Sequence, residues 1–341
     1  MLLEKFEFIP PENKSGFDPK QGSICAIKND HFRYVDLGTI IGDAPKCMIS
    51  MYGFEKKGTI RKSNPNTWRK YIAKSASKWY PNESITEHLM NELGRKLGLT
   101  MANSCLRRIN NQVWFLSEFF LKEGFQLYHG ADFYTLHLNN DRAFVDEIQD
   151  NRKIDDQDYF NVQWVQDILF QSFPNDGHAL FESFIRMLIL DGVIGNNDRH
   201  AYNWGIITSV EQNKQAFFSP IYDTARGLFW NSSEESVKRV IALTDKNGFN
   251  KDIQKYVLSS RPKIGWEGER KLNHIDLLRK IFETETGISK ENFINLVSEE
   301  RLKQCLEVIN KDFNRLFTVD RRRLISDCLT LRFSKINEFI K

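Results

Sequence analysis

The chain has 341 residues, of which 41% are hydrophobic and 27% charged, an ordinary globular balance that sets aside a largely disordered protein. A net charge of +3 is too small to mark a nucleic-acid binder, so no direct nucleic-acid contact is expected. Five cysteines lie far apart without any CxxC spacing, which excludes a zinc ribbon or a disulfide framework and suits a reducing cytoplasm. The N-terminal MLLEKFEFIPPENK lacks the apolar run of a signal peptide, and no segment reaches the length of a membrane span, so an unexported protein without membrane association is expected.

The length allows two packed lobes around a cleft, and the composition changes near residue 120. Up to that point the chain is mixed. Ile24 to Ile27, Phe32 to Leu37 and Met48 to Tyr52 are short apolar runs between glycines and prolines, which predicts strands and turns. After the turn signal Ser63-Asn64-Pro65-Asn66, a strand is predicted from Trp68 to Ala76, with Ile72, Lys74 and Ala76 on one face. Ser84 to Leu99 reads as a helix with the stripe Ile85, Leu89, Leu93 and Leu97, ended by Gly98. Asn110-Asn111 is a hairpin turn leading into Val113 to Leu121.

Beyond Gly124 the pattern becomes helical: Asn161 to Phe170, Ala179 to Val193, Ile275 to Phe282, Lys290 to Leu296, Glu299 to Val308 and Arg321 to Phe339. Between them, Trp204 to Thr208 and Ala216 to Tyr222 read as a hairpin that carries Asp223 back toward Asp198. Residues 124 to 163 match no recognisable element. The run Arg321-Arg322-Arg323 reads as the solvated face of the last helix.

The chemistry concentrates in Asn196-Asn197-Asp198-Arg199-His200, followed by Asn203 and, about twenty residues on, Asp223. Phosphoryl transfer needs a carboxylate to take the proton of the attacking hydroxyl and hard oxygen ligands for magnesium, and Asp198, Asn203 and Asp223 have that spacing. The competing reading makes these Asn and Asp residues turn and cap formers after a helix. Lys74, on an inward strand face, suits a phosphate contact if a carboxylate holds it. Glu87 is placed to do so, but Ser84-Ile85-Thr86-Glu87 also matches a capping box, and the two roles compete for one side chain. Gly53 and Gly58 flank a basic turn, yet Thr59 stands where a Walker lysine is required, which excludes a P-loop NTPase. His200 is expected to fix loop geometry rather than to catalyse, and neither it nor His178 has metal-ligand spacing.

These segments resemble the HipA-like serine/threonine kinases. The likeness is carried by IleSerMetTyrGlyPheGluLysLys at 49 to 57, TyrIleAlaLys at 71 to 74, the helix 87 to 99, AsnAsnAspArgHis at 196 to 200 with Asn203, and ProIleTyrAsp at 220 to 223. The resemblance implies an α+β, bilobal kinase-like fold, with a smaller strand-rich N-lobe over 1–120 and a larger, mainly helical C-lobe over 121–341. It implies an ATP- and Mg2+-dependent kinase acting on a protein substrate, with Asp198 as catalytic base and Asn203 and Asp223 as magnesium ligands. On the same grounds Lys74 would hold the ATP phosphates and Glu87 would orient it. Gly53 and Lys57 would lie on the phosphate side of a loop over ATP, in which Ser50 would be autophosphorylated, and Glu118 and Phe120 would belong to the adenine hinge.

Family context also implies a small helix-turn-helix antitoxin-type partner. The stretch before Ser50 is shorter than in full-length toxin members, so a reduced partner surface is expected. After Asp223 the chain runs Thr-Ala-Arg-Gly-Leu-Phe-Trp, unlike the family's common serine-rich continuation. Rival readings are a lipid or small-molecule kinase of the same fold and a non-catalytic nucleotide-binding module.

Overall fold

A computed structural model describes residues 11–20, 22–35, 46–53, 58–150, 155–211, 214–247, 251–284 and 286–340. The first part is an antiparallel sheet built from β1 (Phe32–Val35), β2 (Lys46–Met51), β3 (Arg69–Ser75), β4 (Ser104–Ile109) and β5 (Gln112–Glu118), in the order β1-β2-β3-β5-β4. Asn110 and Asn111 both have positive φ, 50° and 63°, so the β4–β5 turn follows the right-handed twist of its strands. Of the early apolar runs, Ile24 to Ile27 makes, among the described residues, a bridge at Ala26 to Arg108 rather than a strand.

Helix α1 (Asn82–Lys96) crosses between β3 and β4. Its stripe of Ile85, Leu89, Leu93 and Leu97 is fully buried, each side chain contributing about 1.5–3 kcal/mol by leaving water. Gly98, at φ +86°, ends it in a conformation that a side chain would strain. The helix begins two residues before Ser84, after Pro81, so the capping box does not form. Ser84 Oγ instead accepts from the Ala76 amide (3.3 Å), which leaves Glu87 available to the sheet.

The rest is mainly helical. After β6 (Phe125–His129) come α2 (Gly130–His137), α3 (Arg142–Asp150), α4 (Val162–Ser172) and α5 (Gly177–Ile194). Then follow β7 (Gly205–Ser209), β8 (Phe217–Phe218), α6 (Glu234–Asn247), α7 (Lys251–Ser259), α8 (His274–Glu283), α9 (Glu291–Ile294), α10 (Glu299–Glu307) and α11 (Val319–Ile340). The segment 124 to 163 thus holds β6, α2 and α3; β6 joins β7 and β8 in a small antiparallel sheet. Helix α5 is buried on nearly every side, from Phe184 to Ile194, and forms the axis of this half. The main core runs unbroken from α1 and the sheet residues Val113 and Phe115 into α5, α8 and α11.

One sequence expectation is overturned here. Arg321 is not on a solvated face: it is 0% exposed and pairs through Nε with Glu234 Oε1 (2.5 Å). Its remaining nitrogens donate to the carbonyls of Phe229 (3.1 Å) and Ser232 (2.6 Å). A charge run is read as solvated because burial of an unpaired cation is prohibitive, and Glu234 removes that objection from 87 residues away. Arg323 does stay at the surface, 2.7 Å from Asp245.

Candidate active site

The α5–β7 loop is organised by a carboxylate inside the helix. Asp191, within the apolar run Leu188 to Ile194, accepts from Arg199 at both oxygens (Nε to Oδ2 2.8 Å, Nη2 to Oδ1 2.9 Å) and from Asn196 Nδ2 (2.9 Å). Burial alone would disfavour the charge on Arg199, but Asp191 more than offsets it and holds the guanidinium ionised. Arg199 Nη1 then donates to the carbonyls of Asn203 (2.6 Å) and Tyr222 (2.7 Å), so one nitrogen ties the loop to the residue before Asp223. Gly195 ends α5 at φ +67°, and a Cβ there would meet the Arg332 guanidinium at 2.3 Å.

Within this frame the Asp198 amide donates to Asn196 Oδ1 (3.3 Å), and Asn203 Nδ2 donates to the Asp198 carbonyl (2.8 Å). His200 lies against the loop, its Nδ1 accepting from the Tyr202 amide (3.3 Å). Burial pushes its pKa down to about 4, so it is neutral at ordinary pH, in keeping with a structural role.

Asp223 is delivered by the second sheet and by a bridge between Ile221 and Met101, with the Ala102 amide donating to the Ile221 carbonyl (2.9 Å). It takes a left-handed conformation, φ 53°. Lys74 of β3 reaches Glu87 Oε1 at 2.9 Å and Asp223 Oδ1 at 3.0 Å. Two carboxylates therefore share one ammonium. Burial works against ionisation of Asp223, but Lys74 and Lys46 outweigh it and hold the carboxyl well below the usual range. For Glu87 burial wins, pushing its pKa up to about 7 despite Lys74.

Asp198 carries a further contact: Arg226 Nε lies 3.2 Å from Oδ2 and Nη1 3.5 Å from Oδ1. His129 and Tyr222 also belong to the site's frame. Their Nδ1 and hydroxyl lie 2.9 Å apart, and the hydroxyl donates to the Tyr202 carbonyl (3.0 Å).

Of the remaining candidates, Ser50 is not on a loop but inside β2, 7% exposed and registered between Arg33 and Lys70. β2 continues to Met51, because its ladder with β3 runs that far. Gly53 stands in open space, where a Cβ would meet nothing within 4 Å. Lys57 lies outside the described residues. Glu118 ends β5, held by Arg69 (3.4 Å) and Asn103 Nδ2 (3.2 Å), and Phe120 packs its ring 5.7 Å from that of Tyr222. The structure thus joins Lys74, Glu87 and Asp223 in one cluster, and Asp198 and Asn203 in a second tied to it by Arg199.

Sequence reasoning did not single out Asp191 or Arg226, and it assigned Arg199, though part of the quoted motif, no role of its own. Asp191 carried a usable signal, since a lone carboxylate within an apolar helical run requires a buried cation. No local signal marks Arg226. Among the described residues no group of three or more His, Cys, Asp or Glu is assembled to hold a metal, and no helix is long and apolar enough to cross a membrane.

Comparison with known proteins follows this geometry. The fold is similar to that of the Helicobacter pylori proinflammatory kinase CtkA, at 17% identity and a TM-score of 0.67, covering 93% of this chain and 94% of that one. A weaker likeness, at 14% identity and a TM-score of 0.40, links it to the toxin–antitoxin protein HipA of Shewanella oneidensis MR-1, whose structure includes HipB and operator DNA; 90% of this chain and 65% of that one are covered. The search of curated proteins finds no match. The model of the HipA-like C-terminal domain matches residues 39–292, and the chain belongs to that family.

Proposed function

We propose that the protein is an ATP- and magnesium-dependent kinase that transfers the γ-phosphoryl group to a serine or threonine hydroxyl of a protein. The observation that carries this reading is the Lys74 ammonium held between Glu87 and Asp223, with Asp198 and Asn203 on a loop bound through Arg199 to the residue before Asp223. An ionised Asp223 and the Asn203 side-chain oxygen, left over once Nδ2 has donated to Asp198, fit a hard cation that also takes phosphate oxygens. Bound magnesium would neutralise charge on the phosphates. Lys74 would turn from Asp223 toward the phosphates while Glu87 keeps its orientation. Asp198 would orient the acceptor hydroxyl and take its proton.

The boundary near residue 120 divides an N-lobe (1–120) from a C-lobe (121–341) in this reading, with Glu118 to Phe120 as the hinge that meets adenine. Gly53 and Lys57 would serve the ATP-covering loop. Autophosphorylation at Ser50 would require the end of β2 to unpair from β1 and β3, since the hydroxyl is buried there. Five free thiols suit a reducing cytoplasm, and a small helix-turn-helix protein is the partner class that the family suggests.

The test is incubation with γ-labelled ATP and magnesium, alone and with cell lysate, using wild type, Asp198→Asn and Asp223→Asn. A labelled protein band with wild type, reduced at least about 100-fold in both variants, is expected. Label in a lipid or metabolite would move the acceptor class, and wild-type rates in either variant would overturn the assignment.

A further inference from the structure

The stretch after Asp223 departs from the family's serine-rich continuation, and its arginine is the residue that meets Asp198. Both oxygens of the carboxylate face the Arg226 fork, at 3.2 and 3.5 Å, and the guanidinium lies 5.6 Å from the centre of the Trp230 ring. Its backbone is fixed too: the Asn197 amide donates to the Arg226 carbonyl (3.0 Å), and the Leu228 amide to the Ile194 carbonyl (3.1 Å). Further along, Arg321 grips Phe229 and Ser232. The backbone that carries the fork is thus anchored against the loop that carries the base.

Two other cations of the site, Arg199 and Lys74, lie with other partners. Arg199 is consumed by Asp191 and two carbonyls, and Lys74, which would turn to the nucleotide phosphates, lies with Glu87 and Asp223 rather than beside Asp198. His200 accepts at Nδ1 and so adds no charge. A transferring phosphoryl group spreads negative charge over three equatorial oxygens, and a metal held by Asn203 and Asp223 would neutralise part of it. A cation beside Asp198 would meet charge on the acceptor side, and Arg226 is placed there.

Resting on the kinase reading above, we infer that Arg226 is a catalytic residue that bridges the Asp198 carboxylate and the phosphoryl group in transit. The acceptor oxygen bonds to the γ-phosphorus, the bond from that phosphorus to the β–γ bridging oxygen breaks, and ADP leaves with the electron pair. The hydroxyl proton passes to Asp198. Arg226 keeps one N–H on Asp198 and turns another to an equatorial oxygen, which matters only as charge builds there.

The experiment compares Arg226→Met, Arg226→Gln and Arg226→Lys in steady-state transfer, with nucleotide affinity and melting temperature measured on the same preparations. Met and Gln should lower kcat on the order of 100- to 1000-fold, leave KM for ATP and the affinity for ADP with magnesium within about 3-fold, and melt near wild type. Lys should recover at least about 10-fold over Met, because it restores the charge without the fork. Wild-type or faster turnover in Met or Gln would overturn the inference, as would a fall in nucleotide affinity matching the fall in kcat, or no gain with Lys. Should one variant not fold, the others give the same comparison. If wild type itself transfers no phosphate, the kinase reading fails; if it does and the variants match it, only the role of Arg226 fails.

Discussion

Arg199 and Asp191 form a fully buried bidentate pair, at 2.8 and 2.9 Å, from which one remaining guanidinium nitrogen reaches both halves of the candidate metal site. The pair is a bracket rather than a reagent. Its energetic value in isolation is small, because burial of both ions offsets much of their attraction. Its consequence is geometric: Asn203 and Tyr222 are held to a single atom.

That arrangement separates stability from function. Asp191→Asn should destabilise the protein by ~3–5 kcal/mol, since it strands a buried cation. The double variant Asp191→Leu, Arg199→Met should regain much of that loss while transfer remains at least about 100-fold down, because the carbonyls of Asn203 and Tyr222 lose their common donor. Denaturant midpoints and labelled-ATP assays on the same preparations check this. Recovered activity in the stable double variant would show that the bracket is dispensable.

Arg321 yields a purely structural prediction. Arg321→Met removes the partner of buried Glu234 and the donor to two carbonyls, so a loss of ~3–5 kcal/mol is expected. By contrast, Arg323→Met should change stability by at most ~1 kcal/mol, as exposed pairs contribute little. Urea melts of the two variants should differ by several kcal/mol. Equal midpoints would restore the reading of the arginine run as a solvated face.

Acid should weaken the fold through its histidines. Burial lowers the pKa of His88 and of His200 to about 4, and it also lowers His129 and, well below the usual value, His274; Arg95 and Arg107 add to the effect at His88, and Arg332 at His274. Each takes up a proton more readily when unfolded than when folded, so stability is present above the unfolded value near 6.5 and, for His88 and His200, is lost as pH falls toward 4. Glu87, raised to about 7, has the opposite sign and offsets one of the four. Each group contributes a slope of up to ~1.4 kcal/mol per pH unit. The melting temperature should fall between pH 6.5 and 4.5, and His88→Gln should flatten that fall by about one group. A melting temperature that rises on acidification would refute it.

Much of the fold was legible because it rests on short periods. The alternation of β3 put Lys74 on an inward face, the stripe of α1 marked its buried side, and Asn110-Asn111 marked the hairpin. The helices α6 and α7, absent from the sequence expectation, carry a similar signal in Val237, Val240 and Ile241 and in Ile253, Tyr256 and Val257, at spacings of three and four. Segment 124 to 163 was harder. Its strand and two helices are short, and β6 has meaning only when paired with β7, some 80 residues on.

By itself the sequence determined the chemistry on offer: an Asp, an Asn and a second Asp at kinase spacing, a lysine on an inward strand face and a carboxylate one helix turn into α1. These follow from backbone periodicity and residue type, which act over a few residues. Only the tertiary structure decided partners. Glu87 went to Lys74 because α1 started early and freed it from the cap. Arg321 went inside because Glu234 met it, and Arg226 came to face Asp198 because the segment after Asp223 folds back onto α5. A charged side chain is buried only when its counter-charge arrives, and that charge comes from a distant part of the chain.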